Sequence, residues 1–350
     1  MILSTLFFIL LANLTADAKQ FPSITVGGSG FKNIATALRF IADNGIISVS
    51  PGIYSGPQNT NLCGSDTKRQ LHNITACPAV NVTLIGIGDP ASVVILGNIT
   101  NTTNTRGISI FSRDALSSIS LIKNITFQSF SYVAPVVITP TLAESGGIAY
   151  VGGGVYAVNA TFRLQNVVFL NNSADEGGAM KLLSCNVDLV NVDFINNTAN
   201  LLGGAMATES TFVKIRDSNY ISNRVLGSDQ TGGGGGAIFS LGGGDLDPSI
   251  YDYFEVTNSI FLDNFAGTSG GAVYFRATSA STFVARNVIF ASNAVRGIGN
   301  CLATSSCSAE GGALYVVAGR VQLESCDFFD NVVSTTDSNG VRKGDEIHFC

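Results

Sequence analysis

The stretch Phe169–Ala205 reads FLNNSADEGGAMKLLSCNVDLVNVDFINNTANLLGGA and contains the same pattern twice. In each copy an aromatic residue is followed three residues later by Asn, as Phe194 is by Asn197. Gly-Gly-Ala and an apolar run come after the Asn, as at Gly203. A pattern that recurs along a chain in this way is the signature of a repeat architecture.

The pattern continues towards the C-terminus. The aromatic and Asn pair occurs six times, at Phe169 and Asn172, Phe194 and Asn197, Tyr220 and Asn223, Phe261 and Asn264, Phe290 and Asn293, and Phe328 and Asn331. Phe127 begins a degenerate earlier copy, in which Phe130 stands at the Asn position. The Gly-Gly-Ala element begins at Gly177, Gly203, Gly235, Gly270 and Gly311. Two longer intervals between aromatics contain insertions, at 241–252 and 296–310.

Each copy carries the signals of three short strands separated by turns. Apolar residues stand mostly five and seven positions before the aromatic, which is typical of a half-buried strand. Asn, Asp or Ser then ends the strand, and Asn and Asp tolerate the left-handed conformation of a tight corner. Three strands in about 25 residues predict one coil of an all-β, right-handed parallel β-helix.

The repeats predict a single elongated domain over residues 19–350. Residues 31–45 have apolar residues at helical spacing and are predicted to form a short helix that caps the first coil. We expect irregular first coils over 46–130 and regular repeats over 148–350. Because the chain stops within a strand-like run at Cys350, we expect a truncated product or a fragment.

Residues 1–18 resemble a signal peptide, with a short apolar run followed by Ala16-Asp17-Ala18 as a cleavage site. The run is too short to span a bilayer, so we expect no transmembrane segment in this chain. Eight N-x-Ser/Thr sequons predict a secreted or cell-surface glycoprotein. They begin at Asn73, Asn81, Asn98, Asn101, Asn124, Asn159, Asn171 and Asn196.

The chain has seven cysteines. In an oxidising compartment we expect Cys63 to pair with Cys77, and Cys301 with Cys307, because each pair closes a short loop. Cys185 falls on a predicted repeat strand and is expected to be a buried thiol. The pairing of Cys326 and Cys350 stays open.

The Gly-Gly-Ala and Phe-x-x-Asn elements resemble the repeat of the polymorphic outer membrane protein family, whose members are surface adhesins. The resemblance covers Phe169 to Asn331 and implies a β-helical passenger domain that contacts cells. The stretch from Ile24 to Ile34, with Ser50 to Tyr54, is also similar to the opening of pectin-active β-helix enzymes. That opening forms a cap and first coil, so it bears on fold rather than on catalysis.

Catalytic signals are sparse. The sequence contains no adjacent Asp-Asp pair and two His residues far apart, so neither an aspartate-pair hydrolase nor a Ser/His/Asp site is predicted. Asp245, Asp247 and Asp252 are a weak calcium candidate, and no cofactor is expected. The acids before the Gly-Gly turns, Asp175, Glu176 and Glu310, are expected to be exposed turn residues.

Charge favours a scaffold. The net charge of −6 argues against nucleic acid as a partner. Arg163, Asp188, Lys214 and Glu255 occupy one outward position on successive coils with alternating sign, as expected of register-stabilising pairs. We therefore expect a non-enzymatic adhesin or glycan-binding scaffold, with extracellular glycans or cell-surface proteins as partners. The alternative is a polysaccharide lyase or hydrolase of the pectin-lyase-like superfamily with an unrecognised site.

Overall fold

The structure is a computed structural model that describes residues 21–63, 77, 79–97, 105–113, 116–132, 152–227, 233–242, 253–276, 281–297, 310–335 and 347–349. These residues form three long sheets with parallel strands, wound as successive coils around one hydrophobic core. The predicted parallel β-helix is confirmed.

Sheet A contains fourteen strands in the described residues. They are β1 (Phe21–Val26), β2 (Ile41–Val49), β3 (Gly52–Tyr54), β4 (Val82–Gly86), β5 (Val93–Leu96), β8 (Ile119–Gln128), β11 (Thr161–Leu170), β14 (Asn186–Ile195), β17 (Phe212–Arg216), β18 (Asn219–Ile221), β21 (Tyr253–Leu262), β24 (Thr282–Ala291), β27 (Arg320–Glu324) and β28 (Asp327–Phe329). A 3-10 turn (Pro90–Ser92) precedes β5.

Sheets B and C contain nine and seven strands in the described residues. Sheet B is made of β6 (Ile108–Arg113), β7 (Leu116–Ser117), β10 (Val155–Val158), β13 (Met180–Leu183), β16 (Met206–Glu209), β20 (Ile238–Leu241), β23 (Val273–Arg276), β26 (Leu314–Val317) and β30 (Ile347–Phe349). Sheet C is made of β9 (Ser131–Tyr132), β12 (Ser173–Glu176), β15 (Thr198–Leu202), β19 (Arg224–Val225), β22 (Phe265–Ala266), β25 (Ala294–Gly297) and β29 (Val332–Thr335). β6 and β7 form an antiparallel pair.

Equivalent residues of neighbouring coils are paired in register. Phe169 lies opposite Phe194, and Phe194 lies opposite Tyr220, as the sequence repeat predicts. The rings stack along the axis from Phe127 to Phe328, with centroids 4.6–5.4 Å apart and nearly parallel planes. This spacing is close to the distance between paired strands, so the sheet geometry brings the rings together.

The asparagines that follow the aromatics form a second ladder inside the coil. Asn197 donates from Nδ2 to the Oδ1 of Asn223 and to the carbonyl of Phe169, both at 3.0 Å. Its own Oδ1 accepts the Nδ2 and the backbone N–H of Asn172. The amide is therefore fully hydrogen-bonded although it is buried, and a buried amide needs such partners. The same bonds recur from Asn172 to Asn331.

The corners are left-handed, as the sequence predicts. The strand-ending residues before the aromatics have φ between 49° and 53°; they are Asn166, Asn191, Asp217, Asn258, Asn287 and Ser325. Several of their side chains bond along the axis, such as Asn191 Nδ2 to Asn166 Oδ1 at 2.9 Å. At the Gly-Gly corner, Gly177 has φ 59°, and a Cβ on Gly178 would collide with the carbonyl of Gly204 in the next coil. The first glycine permits the turn and the second permits close stacking.

The N-terminal helix, α1 (Ile34–Phe40), is shorter than the predicted 31–45. Asn33 caps it by accepting the N–H of Thr36 at 2.8 Å. Ile41 is already extended (φ −71°, ψ 142°), and β2 begins there. Asn44, which lies within the predicted helix, is instead a left-handed residue in β2. Its side chain accepts a hydrogen bond from Asn81 in the next coil.

The cysteines agree in part with prediction. Cys63 and Cys77 form the expected disulfide. Cys185 is a buried free thiol, and burial raises its pKa to about 11. It lies at the corner between β13 and β14 rather than on a strand. Cys301, Cys307 and Cys350 lie outside the described residues, and Cys326 is a half-buried free thiol.

Five sequon asparagines are described, and all five are left-handed corner residues: Asn81, Asn124, Asn159, Asn171 and Asn196. Asn73, Asn98 and Asn101 lie outside the described residues. Asn171 and Asn196 are exposed and occupy the same corner of consecutive coils. The N–H of Asn171 bonds to the carbonyl of Ile195, beside Asn196, at 3.0 Å.

Replacing Phe194 with Ala should lower the free energy of unfolding by about 3–5 kcal/mol, because it leaves a gap in the interior stack. The matched control is Phe212→Ala, since Phe212 stacks on Tyr253 but is 39% exposed on the outer face. We expect a much smaller loss there. Denaturant unfolding of both variants checks this, and equal losses would contradict the proposed interior role of the stack.

Replacing Tyr220 with Phe should raise the free energy of unfolding, by about 1 kcal/mol. The Tyr220 hydroxyl is buried and has no hydrogen-bond partner in the described residues, and burial raises its pKa well above the usual value. Phe keeps the ring in the stack and removes the unpaired polar atom. Thermal unfolding of the two proteins measures the change, and a clearly destabilised variant would show that the hydroxyl has a partner.

Glycans at Asn171 and Asn196 should exclude one another, because their Cα atoms are separated by roughly one strand spacing, about 5 Å. Site-resolved mass spectrometry of the secreted protein should rarely find both occupied on one chain. Asn159 is the control, since its equivalent in the next coil is Ser184, which has no sequon. Frequent double occupancy at Asn171 and Asn196 would disprove the crowding.

Candidate binding site

Several candidate site residues from the sequence lie outside the described residues. The calcium candidate Asp245, Asp247 and Asp252 lies outside the described residues, as do most of the two insertions. Within the described residues there is no group of three or more His, Cys, Asp or Glu side chains that could hold a metal ion. The calcium site therefore stays a prediction.

The charged row on the outer face of sheet A has the predicted register. Arg163 lies opposite Asp188, Asp188 opposite Lys214, and Lys214 opposite Glu255. Two arginines outside that row supply most of the ion pairs. Arg216 binds Asp188 at 2.8 Å, and Arg286 contacts both Glu255 and Glu324 at 2.9 Å.

These contacts are structural in character. The side chains are partly exposed and the signs are mixed, so each pair adds only a small, salt-screened contribution to register. The groove beside them is shallow and open, and it is lined in part by Ser117, Ser120 and Thr161. An outer face of mixed charge offers no concentrated field for a charged ligand.

A different arrangement occurs at the corner between sheets C and B. We call it the Arg106 corner, and its members are Arg106, Ser109, Tyr132, Tyr156, Glu176 and Lys181. Sheet B places Ser109, Tyr156 and Lys181 in one outward row on three successive coils. Sheet C brings Tyr132 and the β12 residue Glu176 to the other side of the corner. Cationic and aromatic side chains are thereby collected over three coils.

Lys181 and Glu176 form a shielded ion pair across the Gly-Gly turn. Lys181 Nζ lies 2.6 Å from Glu176 Oε2, and the two side chains are 9% and 15% exposed. The expectation that Glu176 is an exposed turn acid is therefore wrong. The Gly-Gly corner turns the chain from sheet C into sheet B, so a residue just before the glycines lies beside one just after them. Each charge neutralises the other, and removing one would leave a poorly solvated charge.

Arg106 is held differently. Its guanidinium carbon lies 4.6 Å from the centre of the Tyr132 ring and 4.8 Å from that of Tyr156. Nη1 donates to Ser109 Oγ at 3.0 Å, whereas Nε is buried without a hydrogen-bond partner in the described residues. Burial lowers the pKa of Arg106 to about 10, and the two tyrosines oppose that shift. The side chain is still a cation at neutral pH.

The arrangement is suited to recognition rather than to bond cleavage. A glycoside hydrolase needs two carboxyl groups, one free to protonate and one free to attack or activate water. At this corner the carboxylate of Glu176 is held by Lys181. The corner offers a cation, aromatic rings and hydroxyls, which together bind polar ligands with an anionic group.

Sequence reasoning did not find this corner. Arg106 stands in the irregular first coils, where the repeat cannot be aligned, so its neighbours could not be inferred. Lys181 carried a signal, because it is a charged residue directly after Gly-Gly-Ala-Met in a strand that is otherwise apolar. The contact of Lys181 with Glu176 could therefore be predicted from the sequence, because the Gly-Gly corner brings the residues on its two sides together.

No family model matches the chain, and no curated protein matches it. Two solved structures that resemble it are of the pectin methylesterase from Aspergillus niger, in penultimately deglycosylated and in deglycosylated form. Each is 12% identical to this chain with a TM-score of 0.42. The alignment with the first structure covers 96% of this chain and 91% of the solved chain, and the alignment with the second covers 95% of this chain and 92% of the solved chain. No family model supports the polymorphic outer membrane protein repeat.

Proposed function

We propose that this chain is an exported β-helix repeat protein that binds glycans or cell-surface proteins without turning them over, as an adhesin or extracellular scaffold. The predicted signal peptide and sequons support export. None of the described helices is long and apolar enough to cross a membrane. The net charge of −6 supports a partner other than nucleic acid.

The observation that carries the proposal is the environment of Arg106. A desolvated guanidinium over two tyrosine rings, with one N–H unused, is costly to maintain in a scaffold that needs only packing. A ligand with an oxyanion would complete this group, because it would accept a charge-assisted hydrogen bond from the unused N–H. The rigid stack beneath holds it in place, as a recognition site requires.

An enzyme acting on a polysaccharide is the second candidate. The solved structures that resemble this chain are of an enzyme, pectin methylesterase, and the fold is compatible with such an activity. Glu176 is the described acid best placed to take part, because it is shielded and beside a cation. Its ion pair with Lys181 favours a structural role, since both groups are already satisfied.

We expect no sustained turnover of pectin or polygalacturonate, with or without calcium. Absorbance at 235 nm detects unsaturated products of a lyase, a reducing-sugar assay detects hydrolysis, and methanol release detects de-esterification. A glycan array probed with the full-length secreted protein tests binding in parallel. The expected result is binding without turnover.

The control for activity is Glu176→Gln. Turnover by the wild-type protein that this substitution abolishes would replace the binding proposal with the enzymatic one. A protein that neither turns over pectin nor binds any glycan or cell surface would contradict both candidates.

A further inference from the structure

Arg106 differs from Arg163, Arg216 and Arg286 in its surroundings, because it is held by aromatic rings and its Nε is buried without a partner in the described residues. Arg163, Arg216 and Arg286 each form an ion pair with a carboxylate on sheet A. None of the ion pairs among the described residues includes Arg106. The Lys181–Glu176 ion pair at the same corner balances its own charges. The corner therefore holds one positive charge that no described carboxylate balances.

The unbonded Nε–H of Arg106 indicates which chemical group would complete the corner. Nε is buried and unbonded, and Nη1 is used by Ser109. The guanidinium lies over the Tyr132 and Tyr156 rings and also hydrogen-bonds the Tyr132 side chain, and none of these contacts satisfies Nε. A planar guanidinium with a free N–H matches an oxyanion, either a carboxylate or a sulfate, better than it matches a neutral hydroxyl. Arg106 as a whole is partly exposed, which leaves a route from solvent.

The outward aromatic row of sheet B indicates that the protein recognises the charge of a ligand rather than stacking sugar rings on aromatic faces. Phe239, Tyr274 and Tyr315 continue the outward row on later coils. Their ring centroids are 4.9 and 5.0 Å apart, so the rings cover one another's faces, and Phe239 is 8% exposed. A sugar packs on the face of an aromatic ring, and these faces are largely occupied. The row stabilises the sheet, and the Arg106 corner is left as the place of recognition.

We infer that the Arg106 corner binds the carboxylate or sulfate of an acidic glycan, with Arg106 as the group that contacts the oxyanion and Tyr132 and Tyr156 as its walls. This inference rests on the proposed function, because it identifies which glycans the protein binds. It involves no covalent step, so the ligand leaves unchanged.

The test compares three polymers on the full-length secreted protein: polygalacturonate for carboxylates, dextran sulfate for sulfates, and neutral dextran. The variants are Arg106→Met and Arg106→Lys. Arg276→Met is the matched control, because Arg276 is an exposed arginine on the same sheet and its loss changes the net charge equally. Affinities are measured by calorimetry at two salt concentrations, and melting temperatures confirm that each variant is folded.

The wild-type protein should bind at least one acidic polymer and not dextran, and the carboxylate and sulfate arms show which oxyanion is preferred. Arg106→Met should weaken that binding about tenfold or more, since it removes a charge-assisted hydrogen bond. Arg106→Lys keeps the charge but loses the planar fork, so it should bind more weakly than wild type. Arg276→Met should stay within about twofold of wild type, a surface charge being screened by salt.

Unchanged binding of the acidic polymers by a folded Arg106→Met variant would overturn the inference while leaving the proposed function intact. If that variant does not fold, Arg106→Lys decides, and wild-type affinity in it would likewise overturn the assignment. A wild-type protein that binds neutral glycans of the array without preferring acidic ones also refutes the inference alone. Failure to bind any glycan or cell surface is the distinct result that removes the proposed function as well.

Discussion

The amide side chain of a buried asparagine, bonded to its copy in the next coil, sets the register of this molecule. Asn197 uses both lone pairs of its oxygen and both N–H bonds of its nitrogen within the stack. A slip of one residue in any strand would leave these groups unpaired in the interior, which costs about 1–3 kcal/mol for each group. The aromatic stack alone could not impose this order, because ring contacts change gradually with displacement. The directional bonds fix the coils, and the rings then fill the space beside them.

The fold could be predicted from the sequence because its determinants recur. Phe194, Asn197 and the glycines after them keep constant spacing, and each has a physical role that admits few alternatives. The N-terminal region was harder. The apolar pattern around Leu38 fits a helix, but β2 begins at Ile41 and Asn44 bonds to Asn81 of the next coil, so β2 replaces the last predicted turn. Local helical spacing was overridden there by pairing with neighbouring coils.

The candidate site was not predictable in the same way. The register of the row from Arg163 to Glu255 follows from the repeat, and the structure confirms it. Arg106 has no equivalent in the repeat, and its contacts with Tyr132 and Tyr156 depend on where an irregular coil meets the first regular one. A repeat pattern identifies what each coil shares with its neighbours. Binding groups arise where a coil departs from that pattern, so they require the three-dimensional arrangement.

The second glycine of each Gly-Gly pair has a consequence for how such a molecule changes size. Gly178 packs against the carbonyl of Gly204 with no room for a side chain, so the separation of coils cannot be adjusted at that corner. A coil is therefore either present or absent, and gene duplication that adds one extends the rod by about 4.8 Å without altering the contacts of the coils already there. The length of the rod therefore changes during evolution in steps of one coil, while the outward-facing residues of each coil can change independently.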